Sequence, residues 1–150
     1  RRDQGIEGRC SGGRLLMTDT NPQTISIRVR YAETDKMGVV YHANYFMWFE
    51  IGRCELLRTV GRSYRELEAA GIGLPVIEAH CEYKSPGRYD DELQVKTWGT
   101  LLSPARVEFV YEISRPSDGA VNAVGRTVHA AVDTTGRPCR LPDYIRELLQ

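Results

Sequence analysis

From residue 25 the chain alternates, with Ile25, Ile27, Val29 and Tyr31 separated by Ser26, Arg28 and Arg30, the two-residue period of a strand with one buried face. Near residue 44 the period changes. Phe46, Phe49, Arg53, Leu56, Leu57 and Val60 fall at three- and four-residue steps before Gly61, which predicts a helix over 44–60 with Asn44 as its N-cap. Tyr45, Phe46, Trp48, Phe49 and Ile51 carry apolar character most of the way round that helix, so a sheet or a second subunit is expected on more than one side of it. Ser63 with Glu66 three residues later has the spacing of a capping box and predicts a short peripheral helix over 63–70, closing at Gly71. Four β-rich stretches follow, over 75–84, 92–101, 105–115 and 121–134, divided by "SPGRYDD", "LSP" and "RPSDGA". Short turns between consecutive strands predict an antiparallel sheet. Gly136 and Pro138 then interrupt the chain before a terminal helix over 142–149. The pattern as a whole is α+β, a curled antiparallel sheet packed against one buried helix.

Residues 1–22, rich in Gly, Arg and Asp, show no sustained period and read as a flexible tail, which leaves 23–150 as one domain. Twenty Lys and Arg balance twenty Asp and Glu, so the basic footprint of a nucleic-acid-binding protein is missing. Cys10, Cys54, Cys81 and Cys139 are scattered with no C-x-x-C pair, which argues against a zinc or redox motif and for a reducing compartment, the cytoplasm. No apolar run has the length of a membrane span. His80 and His129 lie on strands without ligand spacing, so no metal is expected.

The chemistry concentrates in "RYAETDKMGVVYHANYFMWFE", residues 30–50. Thr34, Asp35 and Gly38 form a turn that delivers His42 and Ala43 to the helix start. A helix N terminus presents unpaired backbone N–H groups and the positive end of its dipole, and both favour a developing negative charge. A carboxylate beside such a site can attack a carbonyl or activate water, while His42 can orient it, contact substrate or contribute only its backbone amide. The competing reading is structural: an Asp in a Gly-containing turn commonly caps the turn, and a His near a helix start commonly packs.

The pattern Tyr31, Thr34-Asp35, Gly38, Val40-Tyr41-His42 and Tyr45, continued in "YKSPGRYDDEL" over 83–93, resembles the hotdog-fold thioesterases. It is similar in particular to the 4-hydroxybenzoyl-CoA thioesterase family and its Tol-Pal-associated acyl-CoA branch, over roughly residues 24–145. The resemblance implies a hotdog fold, in which the sheet wraps the long helix, and a homodimer or dimer of dimers with active sites at the subunit interface. It implies hydrolysis of an acyl-CoA thioester without a cofactor, with Asp35 as catalytic carboxylate, His42 and Tyr31 around the same site, and the backbone amide near His42 receiving the thioester oxygen. Lys84 and Arg88 become candidates for the coenzyme A phosphates, and Tyr45, with Phe46 and Trp48, for the acyl channel or the core. An acyl carrier protein is a further candidate partner. Two competitors fit less well: the hydratase branch spaces its Asp and His five apart against seven here, and a non-catalytic acyl-binding scaffold has no need of Asp35.

Overall fold

The computed structural model describes residues 22–59 and 63–149. Five strands, β1 (Gln23–Arg28), β2 (Val76–Tyr83), β3 (Glu92–Ser103), β4 (Arg106–Arg115) and β5 (Ala120–Ala130), and three helices, α1 (Asn44–Arg58), α2 (Tyr64–Ala69) and α3 (Asp143–Leu148), follow the order β1-α1-α2-β2-β3-β4-β5-α3. All strands join one antiparallel sheet in the order β1-β3-β4-β5-β2. Consecutive strands are therefore not all neighbours: β2 crosses to pair with β5, and β1 takes the place beside β3. Alternation along a strand reports which face is buried but not which strand lies next to it. Both β1 and β2 are edges.

The first strand is shorter than its alternation predicts. It ends at Arg28, and Tyr31 belongs to a 3-10 turn, Tyr31–Glu33, in which the Glu33 carboxylate accepts the Arg30 N–H at 2.8 Å. Helix α1 starts at Asn44 with Ala43 as N-cap; the Asn44 side chain instead donates back to the Glu33 carbonyl at 2.8 Å. The predicted end at Val60 and Gly61, and all but the last residue of the 1–22 tail, lie outside the described residues. Ser63 and Glu66 do form the reciprocal capping box at the head of α2. The stretch predicted to continue to 134 leaves the sheet at Ala130, where Val132 bridges Gly73 and Pro138 and Asp133 caps a turn.

Helix α1 lies mainly on β3, with β1 and β4 to either side, and buries Tyr45, Trp48, Phe49, Gly52 and Leu57. Two glycines make that close seating possible. A Cβ at Gly52 would stand 2.3 Å from Thr97 Oγ1, and one at Gly125 would stand 2.5 Å from the Phe49 ring and 2.8 Å from the His80 carbonyl. The Phe49 ring sits over Gly125 and stacks at 4.3 Å on Tyr111, the residue paired with Gly125 on the adjacent strand. The opposite flank of α1 is open: Met47 is 62% and Ile51 43% exposed. A sheet curled over one long buried helix is the hotdog arrangement.

A buried polar chain runs beneath α1. Tyr111 Oη lies 2.7 Å from Thr127 Oγ1, which lies 2.9 Å from His129 Nε2, and His129 Nδ1 lies 2.9 Å from the Leu74 carbonyl. Burial holds the His129 pKa below its ordinary value, so the ring is neutral. A carbonyl can only accept, so Nδ1 carries the proton, Nε2 accepts from Thr127, and Thr127 accepts from Tyr111.

Candidate active site

The turn between β1 and α1 is closed by backbone bonds, from Asp35 N–H to the Val39 carbonyl and from Gly38 N–H to the Asp35 carbonyl, both 2.9 Å. Gly38 has φ +78°, the left-handed conformation that glycine adopts without strain. Asp35 Oδ1 accepts the Met37 N–H at 2.9 Å. The carboxylate thus does cap its own turn, but with one oxygen; no protein donor among the described residues engages Oδ2. The side chain is half-buried and faces a cavity of about 320 Å³ that His42, Tyr45, Tyr83, Lys84 and Ser85 also line.

At the head of α1 the chain is tied from both sides. Tyr41 N–H donates to the Glu33 carbonyl at 2.9 Å, and Val40 N–H donates to the Gly87 carbonyl at 2.8 Å. Between these ties and the first helical turn, the His42 and Ala43 N–H groups meet no acceptor among the described residues. The Tyr83 hydroxyl donates to the His42 carbonyl at 2.9 Å. Because a trans peptide sets its C=O and N–H in opposite directions, that bond turns the Ala43 N–H away from Tyr83. Burial first, and then the neighbouring Cys81 thiol, pushes the Tyr83 phenol up to about 12, so it remains a donor. The same ring packs edge-on to Tyr45 at 5.3 Å and to His42 at 6.3 Å.

The far wall is the loop after β2. Lys84 and Ser85 N–H groups donate to the Asn122 carbonyl at 2.8 and 3.3 Å, and Tyr45 Oη accepts from Gly87 N–H at 3.4 Å. Arg115 clamps the loop, donating to the Pro86 carbonyl at 3.2 Å and to Asp91 at 3.0 Å while a second carboxylate, Asp118, holds it from the other side at 2.8 Å. Asp118 and then Asp91 raise the Arg115 pKa, so the guanidinium is charged at any working pH. Lys84 Nζ pairs with Glu82 at 3.1 Å.

Four of the six residues singled out in the sequence, Asp35, His42, Tyr45 and Lys84, border this one cavity. The other two stand apart from its lining. Tyr31 is 79% exposed and packs edge-on to Tyr89 at 5.8 Å, and exposed Arg88 is held through its backbone, bridging Val39 and donating to Asp91. Sequence reasoning passed over Tyr83 and Ser85. The signal for Tyr83 was available, since it is the aromatic residue at the point where β2 gives way to the Pro- and Gly-containing loop. Among the described residues no group of His, Cys, Asp and Glu could hold a metal ion, and no helix is long and apolar enough to cross a membrane.

A half-engaged carboxylate sharing a cavity with the head of a helix, where backbone N–H groups are unpaired, is suited to acyl transfer to water. The family model described as "Thioesterase-like superfamily" matches residues 29–149, which include every element of this site. The chain belongs to that superfamily. Among its relatives, YneP of Bacillus subtilis (strain 168) is 38% identical over 107 residues, covering 71% of this chain and 77% of YneP. The acyl-CoA thioester hydrolase YbgC of Escherichia coli O6:H1 is 32% identical over 119 residues, 79% of this chain and 89% of YbgC. Among solved thioesterase structures, the DHNA-CoA thioesterase of Staphylococcus aureus superposes with a TM-score of 0.77 at 37% identity, covering 84% of this chain and 85% of the other.

Proposed function

We propose that this protein hydrolyses an acyl-CoA thioester to the free acid and coenzyme A. The observation that carries the reading is that Asp35 and His42, whose N–H meets no acceptor among the described residues, line one cavity at the head of α1, in a chain of the thioesterase-like superfamily. The thioester oxygen sits at the helix head, where the N–H donors and the helix dipole stabilise the oxyanion that forms on attack. Asp35 either takes a proton from the attacking water or attacks the carbonyl carbon itself, forming a mixed anhydride that water then cleaves. In both routes the carbon–sulfur bond breaks as the oxyanion collapses, and CoA leaves as a thiolate that takes up a proton. His42, whose ring is exposed beside Tyr41 and Tyr83, flanks the reacting carbonyl. Tyr31 stands at the rim, where it contacts the substrate outside the cavity. The test is thiol release from a panel of acyl-CoA esters of graded chain length; no release from any of them, by folded protein, overturns the reading.

Lys84 and Arg88 receive the CoA phosphates, Lys84 by exchanging Glu82 for phosphate and Arg88 with a guanidinium that has no ion pair among the described residues. Changing either to Ala is expected to raise KM for acyl-CoA by roughly three- to tenfold with kcat nearly constant, the mark of lost uniform binding. A small thioester without the nucleotide should be hydrolysed equally by wild type and variant. Equal losses on both substrates would assign these residues to the fold instead. The exposed edge β2, with Val76 and Ile77 outward, and the open flank of α1 support a homodimer or a dimer of dimers as the working form.

A further inference from the structure

A second cavity of about 450 Å³ lies on the flank of α1 away from Asp35, between the helix and β2. Its wall starts at Ala43, the residue whose N–H meets no acceptor, and continues along the helix through Phe46 and Met47 to Glu50 and Arg53, with Ala79 of β2 opposite. The lining is apolar near the helix head and polar at the far end. Arg53 is anomalous there. Its side chain is half-buried, forms no ion pair among the described residues, and holds a buried Nε with no hydrogen-bond partner. A buried donor left unpaired costs free energy until something fills it.

We infer that this groove is the acyl subsite and that Arg53 reads an oxygen at the far end of the acyl group, the preferred substrates being medium-length acyl chains with a terminal hydroxyl. The inference rests on the thioesterase reading for the placement of the thioester at the helix head. From there the second cavity offers the acyl chain an apolar route along the helix, and ten residue steps lead from Ala43 to Arg53, roughly 15 Å of helix axis. The Arg53 side chain leans back toward the helix N terminus and shortens that distance, so a medium-length chain reaches it and an acetyl group does not.

The choice of a hydroxyl follows from the two charges at the end of the groove. A carboxylate tip would gain Arg53 but be set against Glu50, and an ammonium tip would gain Glu50 but be set against Arg53, whereas a hydroxyl accepts from Arg53 and donates to Glu50 with neither charge opposed. The buried chain beneath supports the placement of Arg53. Since the Tyr111 hydroxyl gives its proton to Thr127, its oxygen is left as an acceptor, and the Arg53 guanidinium is close enough to act against the rise that burial gives the Tyr111 pKa. Arg53 and Thr127 of that chain both line the groove, so the guanidinium lies beside the buried polar chain.

The experiment compares octanoyl-CoA with omega-hydroxyoctanoyl-CoA, which differ only at the tip. Wild type is expected to favour the hydroxylated ester by about tenfold or more in kcat/KM, which is about 1.4 kcal/mol, and Arg53→Met to bring the ratio to about one. A wild-type ratio of one, or a ratio that survives Arg53→Met, overturns the inference. If wild type cleaves neither ester, it is the hydrolase reading that fails. The subsite is then judged from the Kd values of the two non-hydrolysable thioether analogues, where a tenfold preference lost in Arg53→Met supports it and equal values overturn it. Should Arg53→Met not fold, Ala79→Phe fills the groove from β2 and is expected to slow the eight-carbon esters at least tenfold relative to acetyl-CoA. An equal effect on both lengths places the acyl chain elsewhere.

Discussion

Asp35→Asn lowers kcat on the best acyl-CoA by a hundredfold or more, about 2.7 kcal/mol of barrier, with substrate affinity retained. The substitution isolates charge from architecture. An Asn side-chain oxygen still accepts the Met37 N–H that Asp35 Oδ1 accepts at 2.9 Å, and Asn is as well suited to the turn as Asp, so the bend and the helix head remain in place. Only the negative charge that attacks the carbonyl or draws the proton from water is lost. His42→Ala is expected to cost less, because the oxyanion donors assigned here are backbone N–H groups, which Ala keeps. Steady-state kinetics on both variants, with circular dichroism as the control for folding, gives the ranking. If Asp35→Asn falls within about threefold of wild type, under about 0.7 kcal/mol, the residue only shapes the turn. If His42→Ala is the more damaging, the imidazole is the principal base.

Gly125→Val is expected to destabilise the fold by about 3 kcal/mol, at the upper end of the range for overpacking, and to lower Tm by roughly 6–12 °C for a chain of this size. The new Cβ would stand 2.5 Å from two atoms of the Phe49 ring and 2.8 Å from the His80 backbone carbonyl. Neither neighbour can retreat easily, since Phe49 is fully buried against Tyr111 and His80 is held in β2 by its pairing with β5. Thermal unfolding measures the loss. Adding Phe49→Leu to Gly125→Val should recover part of it, and a double variant no more stable than the single would show that the ring is not what the side chain strikes.

The residues that announced the fold in the sequence are those whose environment is local. Ser63 and Glu66 form their capping box within one helical turn, and β4 and the first half of β3 alternate because one face of each is buried there. Strand order was not legible, because nothing in 75–84 distinguishes a partner in 92–101 from one in 121–134; β2 goes to β5, and the long α1 spans the gap. Asn44 has the side chain of an N-cap, but the turn before it places the Glu33 carbonyl within its reach, and that tertiary bond takes precedence. At the site, Asp35, His42 and Tyr45 could be grouped because they are close in sequence. Lys84 joined them only through the resemblance. Tyr83 and Arg53 escaped notice because their importance lies in a backbone carbonyl 41 residues away and in a missing partner, neither of which a sequence displays.

The bond from Tyr83 to the His42 carbonyl ties the last residue of an edge strand to the first peptide at the head of α1, whose N–H meets no acceptor among the described residues. Strand β2 is anchored on one side only, through a ladder from Val76 opposite His129 to Tyr83 opposite Ala123, with an irregularity between Val76 and Glu78 near its start. A slip of one residue along β5 would carry the phenol about 3.3 Å along the strand and turn it to the other face of the sheet. The alignment of the helix head is therefore a measure of strand registration. Insertions or deletions before Val76 can be absorbed by the loop from α2, while a single residue added between the irregularity and Tyr83 would carry the phenol off the His42 carbonyl and loosen the helix head.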